Sequence, residues 1–221
     1  MFGASGALGG AFVELLRARP RCGEVVGLSR ATTPRFELCD EESIRACAAA
    51  LADRAPFHLL IDATGALTLD GLGPERRLDD LDAERLARAF AVNAIGPALL
   101  MKHFVPLLPR RERSIFATLS ARVGSIADNR RGGWYGYRAS KAALNMLLRT
   151  AAIEACRQRP EAVFAALQPG TVRSRLSAPF VTGDDALAPD VSAAMLLDVL
   201  DAAPARREAL FLDHNGLPVP W

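Results

Sequence analysis

Short apolar runs alternate along this chain with longer stretches whose apolar positions recur every three or four residues. Residues 24–28 (EVVGL), 57–64 (FHLLIDAT), 114–120 (SIFATLS), 162–169 (AVFAALQP) and 208–213 (EALFLD) read as strands, and 36–39 (FELC) as a weaker one. The run at 57–64 is apolar enough to be buried on both faces. Between them the pattern predicts helices over 7–19, 40–55, 82–108, 136–158 and 189–202. Acidic residues in the first turn of 40–55 complement a helix dipole, and Pro189 opens the last helix. Strands alternating with helices argue for an α/β protein with a parallel sheet and helices on both faces, three layers in all. No repeat, low-complexity tract or long linker interrupts the pattern, so residues 1–221 are expected to form one domain.

Composition narrows the class. Half of the 221 residues are hydrophobic and 24% are charged, the balance of a soluble globular protein with one sizeable core. A net charge of +2 gives no electrostatic footprint for nucleic acid or an anionic membrane. The basic stretch PRRER at 109–113 reads as a solvated turn. No segment approaches the roughly 20 apolar residues needed to cross a bilayer, and no signal peptide is visible. The four cysteines form no CxxC pair and the three histidines are scattered, so no metal site is expected. Reduced thiols in a cytoplasmic protein fit this usage, with Cys39 and Cys47 as buried small hydrophobes.

Four features carry candidate chemistry. The opening MFGASGALGG spaces Gly3, Gly6 and Gly9 as G-x-x-G-x-x-G ahead of a helix, which lets backbone N–H groups approach a pyrophosphate; a loop of small residues is also a plain turn. About 20 residues on, where a nucleotide ribose belongs, stand Ser29 and Arg30 in place of an acidic residue. Arg30 suits a 2′-phosphate, and so NADP rather than NAD, or is a surface arginine at a strand end. Tyr137 and Lys141 are spaced i, i+4, on one helix face, where an ammonium lowers a phenol's pKa and makes a proton donor and acceptor. Asn93 stands four residues before Pro97, which has no N–H to give the Asn93 carbonyl; the helix is expected to bend there and the carbonyl to hold an ordered water, or only a kink is shaped.

GASGALG, DATG (62–65), VNAIGP, YRASK and PGTV (169–172) fall in the order and spacing of the short-chain dehydrogenase/reductase family, and the match runs over essentially the whole chain. The stretch from Ala121 to Asn145 with the terminal VPW resembles the C-factor-like branch, which is itself similar to carbonyl reductases. The resemblance implies a doubly wound Rossmann sheet, hydride transfer from a nicotinamide cofactor, NADP(H) on the reading of Arg30, and a small carbonyl or alcohol substrate. It implies that Gly3, Ser5, Gly6, Ala7, Leu8 and Gly9 form the pyrophosphate turn. Ser29 and Arg30 would take the ribose, Asp40 the adenine, and Ala63, Thr64 and Gly65 the cofactor's flank. Pro169, Gly170 and Val172, with Ser174 nearby, would hold the nicotinamide end. Tyr137 would protonate the carbonyl oxygen, Lys141 would depress its pKa and bind the ribose, and Asn93 would hold a relay water.

The chain also departs from the pattern. Ala7 stands where the family's turn usually has its middle glycine. The family's catalytic serine falls at Ala121, leaving Ser120, one place early, or Ser125 as its replacement. Only Met1 and Phe2 precede the turn, whereas a typical strand needs about 5–6 residues, so the first strand, mid-sheet in this family, is expected to be truncated. The family's two long helices are its usual dimer surface, which implies a homodimer. A second function class, a nucleotide-binding signalling or regulatory protein with little turnover, is motivated by the C-factor resemblance and by Ala121.

Overall fold

A computed structural model describes residues 1–180 and 186–221. Residues 181–185, part of the stretch after PGTV (about 171–189) that the family resemblance implies sets substrate choice, lie outside the described residues. Among the described residues, four strands form a parallel sheet in chain order: β1 (Leu59–Asp62), β2 (Ser114–Leu119), β3 (Ala162–Gln168) and β4 (Leu210–Asp213). Six α-helices among the same residues accompany them: α1 (Ala7–Ala18), α2 (Glu41–Ala50), α3 (Ala83–Phe90), α4 (Gly96–Phe104), α5 (Tyr135–Ala155) and α6 (Pro189–Ala202).

The layers follow from the two-residue period of a strand. Ile115, Ala117 and Leu119 of β2, with Val163, Ala165 and Leu167 of β3, pack against Phe12 and Leu16 of α1 and Leu196 of α6. The alternate residues Phe116 and Phe164 pack on the other face, against Ile44 of α2, Leu100 and Phe104 of α4 and Leu148 of α5. Burying one such side chain contributes about 1.5–3 kcal/mol. Both faces are covered, which is why these strands read as continuous apolar runs.

Residues 1–4 run between 24–28 and β1. Phe2 bridges Leu28 on one side and Asp62 on the other, both in parallel. Its N–H donates to the Ile61 carbonyl at 2.8 Å, and its carbonyl accepts from Ala63 N–H at 3.1 Å. On the far side Leu28 N–H donates to Met1 C=O and Ala4 N–H to Leu28 C=O. With no further partner, 24–28 forms a single bridge rather than the strand expected there. Below Phe2 lies a cavity of about 930 Å³, lined by Val25, Val26, Leu59, Ile61, Leu16, Leu51 and Phe104 among others. Ile115 N–H donates to His58 C=O, so 58, 60 and 62 face β2 and the peptide groups of Leu59 open into this cavity. An ion pair between Arg54 and Glu24, both of which also line it, stands at its rim.

Other expectations are corrected. Residues 36–39 are not a strand: Phe36 N–H turns back to Ser29 C=O, and Phe36 and Leu38 plug the core side of the loop. Cys47 is buried but Cys39 is exposed, at the end of that loop. The helical stretch Ala83–Leu107 is, by length and composition, long and apolar enough to cross a membrane, contrary to the sequence-based expectation. Its apolar face is engaged in the core through Leu100, Met101 and Phe104, which marks it as a core helix.

Candidate active site

The glycine turn is closed by close approach. Gly3 has φ +75° and its carbonyl accepts from Gly6 N–H at 2.9 Å. A Cβ on Gly9 would lie 2.0 Å from the Gly3 oxygen, so no side chain fits where α1 crosses the turn. Ser5, Gly6 and Ala7 are exposed, Leu8 is half-buried and Gly9 buried. α1 starts at Ala7 with no side-chain cap on its free N–H groups, a ready site for an anion. Ala63 lies against Gly3.

At the position expected for the ribose, Ser29 is buried and its hydroxyl accepts from Ala31 N–H. Arg30 beside it is exposed. Asp40 is exposed and caps α2 by accepting from Glu42 N–H at 3.0 Å.

Between α3 and α4 the chain forms a π-helical segment over Ala91–Ile95, with Gly96 N–H reaching back to Ala91 C=O. Pro97 follows and cannot supply the N–H that a regular α-helix would bring to Asn93. The expected bend is thus a widened turn, and it buries Asn93 completely. The Asn93 amide clamps the chain after β1: Oδ1 accepts from Ala66 N–H and Nδ2 donates to Ala66 C=O, both at 2.9 Å. Nδ2 also lies 3.3 Å from Ser140 Oγ, which donates to the Tyr137 carbonyl at 3.0 Å. Ser140, the serine of YRASK, therefore ties Asn93 to the backbone of Tyr137.

Lys141 is 3% exposed, its Nζ donates to Leu119 C=O at 2.8 Å and lies 6.0 Å from the centre of the Tyr137 ring. A side chain on Gly65 would meet Lys141 Nζ at 3.2 Å and Asn93 Oδ1 at 3.3 Å, which measures how tightly the three converge. Burial lowers the Lys141 pKa to about 8, against the opposing charge of Asp62. Burial pushes the Tyr137 hydroxyl up to about 12. The downward shift expected for Tyr137 from its lysine neighbour is absent because desolvation outweighs an ammonium 6.0 Å from the ring.

Beneath them Asp62 is fully buried and accepts from Thr64 N–H, Thr64 Oγ1 and Thr118 Oγ1. Its desolvation raises its pKa against the effect of those donors and of Lys141. Thr64 thus spends its side chain beneath the site.

After β3, the Pro169 carbonyl accepts from Ser192 Oγ, Gly170 turns at φ +77° beside His214, and Val172 bridges to Leu187. Ser174 pairs with Ser177 in a local turn. The two candidate serines point elsewhere. Ser120 Oγ donates to Asn145 Oδ1 at 2.6 Å, and Ser125 Oγ reaches the Trp221 carbonyl at 3.5 Å while accepting from Asp128 N–H.

Two partners of the site had no signal in the sequence. Glu75 is 5% exposed and its carboxylate accepts from Gly136 N–H at 3.0 Å, at the start of α5. Ser140 was hidden inside a motif read for its tyrosine and lysine.

The glycine turn, a buried lysine below a tyrosine on one helix, and an asparagine in a widened turn all lie outside the carboxyl ends of parallel strands, where open α/β sheets bind ligands. A family model described as Enoyl-(Acyl carrier protein) reductase matches residues 19–216, and this chain belongs to the short-chain dehydrogenase/reductase family of oxidoreductases. Within it the chain falls in the C-factor-like branch: it is 37% identical over 145 residues to C-signal of Myxococcus xanthus, covering 65% of this chain and 83% of that one. Two solved structures resemble it along its full length. A putative short-chain dehydrogenase/reductase from Burkholderia multivorans with bound NADP is 29% identical with a TM-score of 0.84, covering 100% of this chain and 97% of that one. NADPH-bound carbonyl reductase from chicken fatty liver is 25% identical with a TM-score of 0.85 and the same coverage, 100% and 97%.

Proposed function

We propose that this protein is an NADP(H)-dependent oxidoreductase that reduces a ketone or aldehyde to an alcohol, with Tyr137 as general acid and base. The observation that carries the reading is the convergence of Tyr137, Lys141 and Asn93 about Gly65, on the sheet end that also holds the glycine turn. NADP or NADPH in two structural relatives and an exposed Arg30 at the ribose position support the cofactor choice. The reading treats residues 1–221 as one dinucleotide-binding unit.

The residues fit the cofactor: the Gly3–Gly9 approach leaves the α1 N-terminus bare for a pyrophosphate. Bound there, the reduced nicotinamide supplies the hydride for the carbonyl carbon. Tyr137, with its pKa near 12, is neutral at pH 7 and holds the proton that the carbonyl oxygen requires. The Lys141 ammonium offsets the negative charge left on Tyr137 and bonds the ribose. Asn93, denied its α-helical donor by Pro97, holds the water that returns a proton. Ser120 or Ser125 supplies the second donor to the substrate oxygen, after turning from its present partner. Oxidation of the alcohol runs the same proton path in reverse.

NADPH oxidation measured across a panel of ketones and aldehydes tests the reading. Tyr137→Phe should abolish turnover while NADPH still binds; unchanged turnover removes Tyr137 from the chemistry. Arg30→Ala should weaken NADPH about 10-fold or more, and NADH little, because it deletes one charge-assisted contact to the 2′-phosphate. Tight NADPH binding with no turnover anywhere on the panel would favour the signalling alternative.

The same reading places the protein in the cytoplasm, where Cys22, Cys39, Cys47 and Cys156 stay free. It pairs two copies through the helices bearing the exposed Ile95, Met146, Leu147 and Ile153. Sedimentation velocity reports whether that dimer forms.

A further inference from the structure

The loop that leads into α5 is wound left-handed at three successive residues. Gly132 and Gly133 have φ +63°, and Trp134 has φ +54° and ψ +42°. Glycine adopts this region freely; a bulky aromatic residue does so only where its surroundings hold it. Here Glu75 does the holding. Its backbone carbonyl accepts from Trp134 N–H at 2.5 Å and its buried carboxylate from Gly136 N–H at 3.0 Å, so one residue grips both sides of Tyr135. α5 has no side-chain cap and no acidic residue in its own first turn, so the Glu75 carboxylate also meets the positive end of that helix.

The strained conformation aims the indole. Trp134 is partly exposed and stands edge-on to two rings: Tyr137 at 6.2 Å and 69°, and Phe180 at 5.4 Å and 64°. Phe180 comes from the segment after β3 and lies over Gly73, where an added Cβ would sit 3.6 Å from the ring. Leu67, Leu69, Leu72 and Pro74 line the residual void of about 20 Å³ that also touches Tyr137 and Asn93. The Tyr137 ring is therefore flanked by Trp134, with Phe180 beyond it, and by an apolar loop.

We propose that Trp134 and Phe180 form a substrate subsite for a flat apolar ring or conjugated group attached to the reacting carbonyl, making aryl and conjugated ketones or aldehydes the substrate class. The inference rests on the reductase reading above. Edge-to-face packing rewards a planar π-system over a small aliphatic group. A left-handed tryptophan lowers the stability of the loop, and orienting the indole beside Tyr137 is what that strain accomplishes.

Two measurements on the full chain test this. The first is kcat/KM with NADPH for aryl ketones such as acetophenone against butanone. Wild type should prefer the aryl ketone, and Trp134→Gly should cut the aryl-to-aliphatic ratio by about tenfold, the usual yield of one apolar contact. Trp134→Gly relieves the backbone strain, so its melting temperature should hold or rise; a merely structural tryptophan would lower it. Phe180→Leu should lower the ratio in the same direction. Equal losses for both substrates, or no aryl preference in wild type, overturn the proposal.

The second measurement does not need turnover. The chain has two tryptophans. In a Trp221→Phe background the emission reports Trp134 alone. Acetophenone should quench it saturably in the presence of NADP, after correction for absorbance, and butanone should not. Absent quenching overturns the subsite even if the reductase reading stands. Quenching without any carbonyl turnover retains the subsite and overturns the reductase reading instead.

Discussion

Tyr137 and Lys141 are both driven toward their uncharged forms by burial, one up to about 12 and the other down to about 8. The consequence for activity differs between them. Tyr137 keeps its proton throughout the neutral range, as the proposed carbonyl reduction requires. Lys141 is mostly charged below pH 8 and loses its charge above it, so the cation that in the proposed mechanism offsets the developing phenolate disappears there. If the proposed mechanism holds, carbonyl reduction stays steady from pH 6 to 7.5 and falls as pH rises past about 8; a kcat/KM profile still flat at pH 10 would contradict it. At this scale the sequence was informative where geometry is local. An i, i+4 pair on a helix and a proline four residues after an asparagine carry their consequences with them. The direction of the tyrosine shift was not legible, because desolvation depends on the chain segments that close over the site. Glu75 was not legible either: its partner Gly136 is 61 residues away, and PERR reads as an ordinary charged loop.

Among the elements, β1 to β4 and the helices were readable because both sheet faces are covered and turn signals bound each apolar run. Residues 36–39, the weaker apolar run, are not a strand, since Phe36 N–H turns back to Ser29 C=O. The stretch 82–108 read as one helix with a bend, and the structure resolves the bend into the π segment at Ala91–Ile95. That segment spends one extra residue to turn Asn93 inward. Pro97→Ala would restore the missing N–H and let the segment rewind as α-helix, rotating Asn93 by about 100° about the helix axis. The expected result is loss of at least ~10-fold in kcat, in line with a displaced catalytic group, with far-UV circular dichroism unchanged. Full activity in this variant would show that the widened turn has no part in placing Asn93.

Taken as a whole, the molecule brings the stretch 24–28 and β1 together at the glycine turn, through the bridges of Phe2 to Leu28 and Asp62. A ligand bound across that turn stabilises the folded chain by mass action. NADPH at 100 times its Kd should add about 2.7 kcal/mol and raise the melting temperature by about 5–10 °C for a chain of this length. An unchanged melting temperature at saturating NADPH would contradict the proposed cofactor site.

The bridges at Phe2 have a mechanical meaning, because they set the stretch ending at Ser29 and the strands β1 to β4 on either side of the glycine turn. In the proposed binding mode a dinucleotide anchors its adenosine beside Ser29 and its nicotinamide over β1 to β4, with the pyrophosphate on the turn between them. The cofactor then serves as a tie bar as well as a reagent.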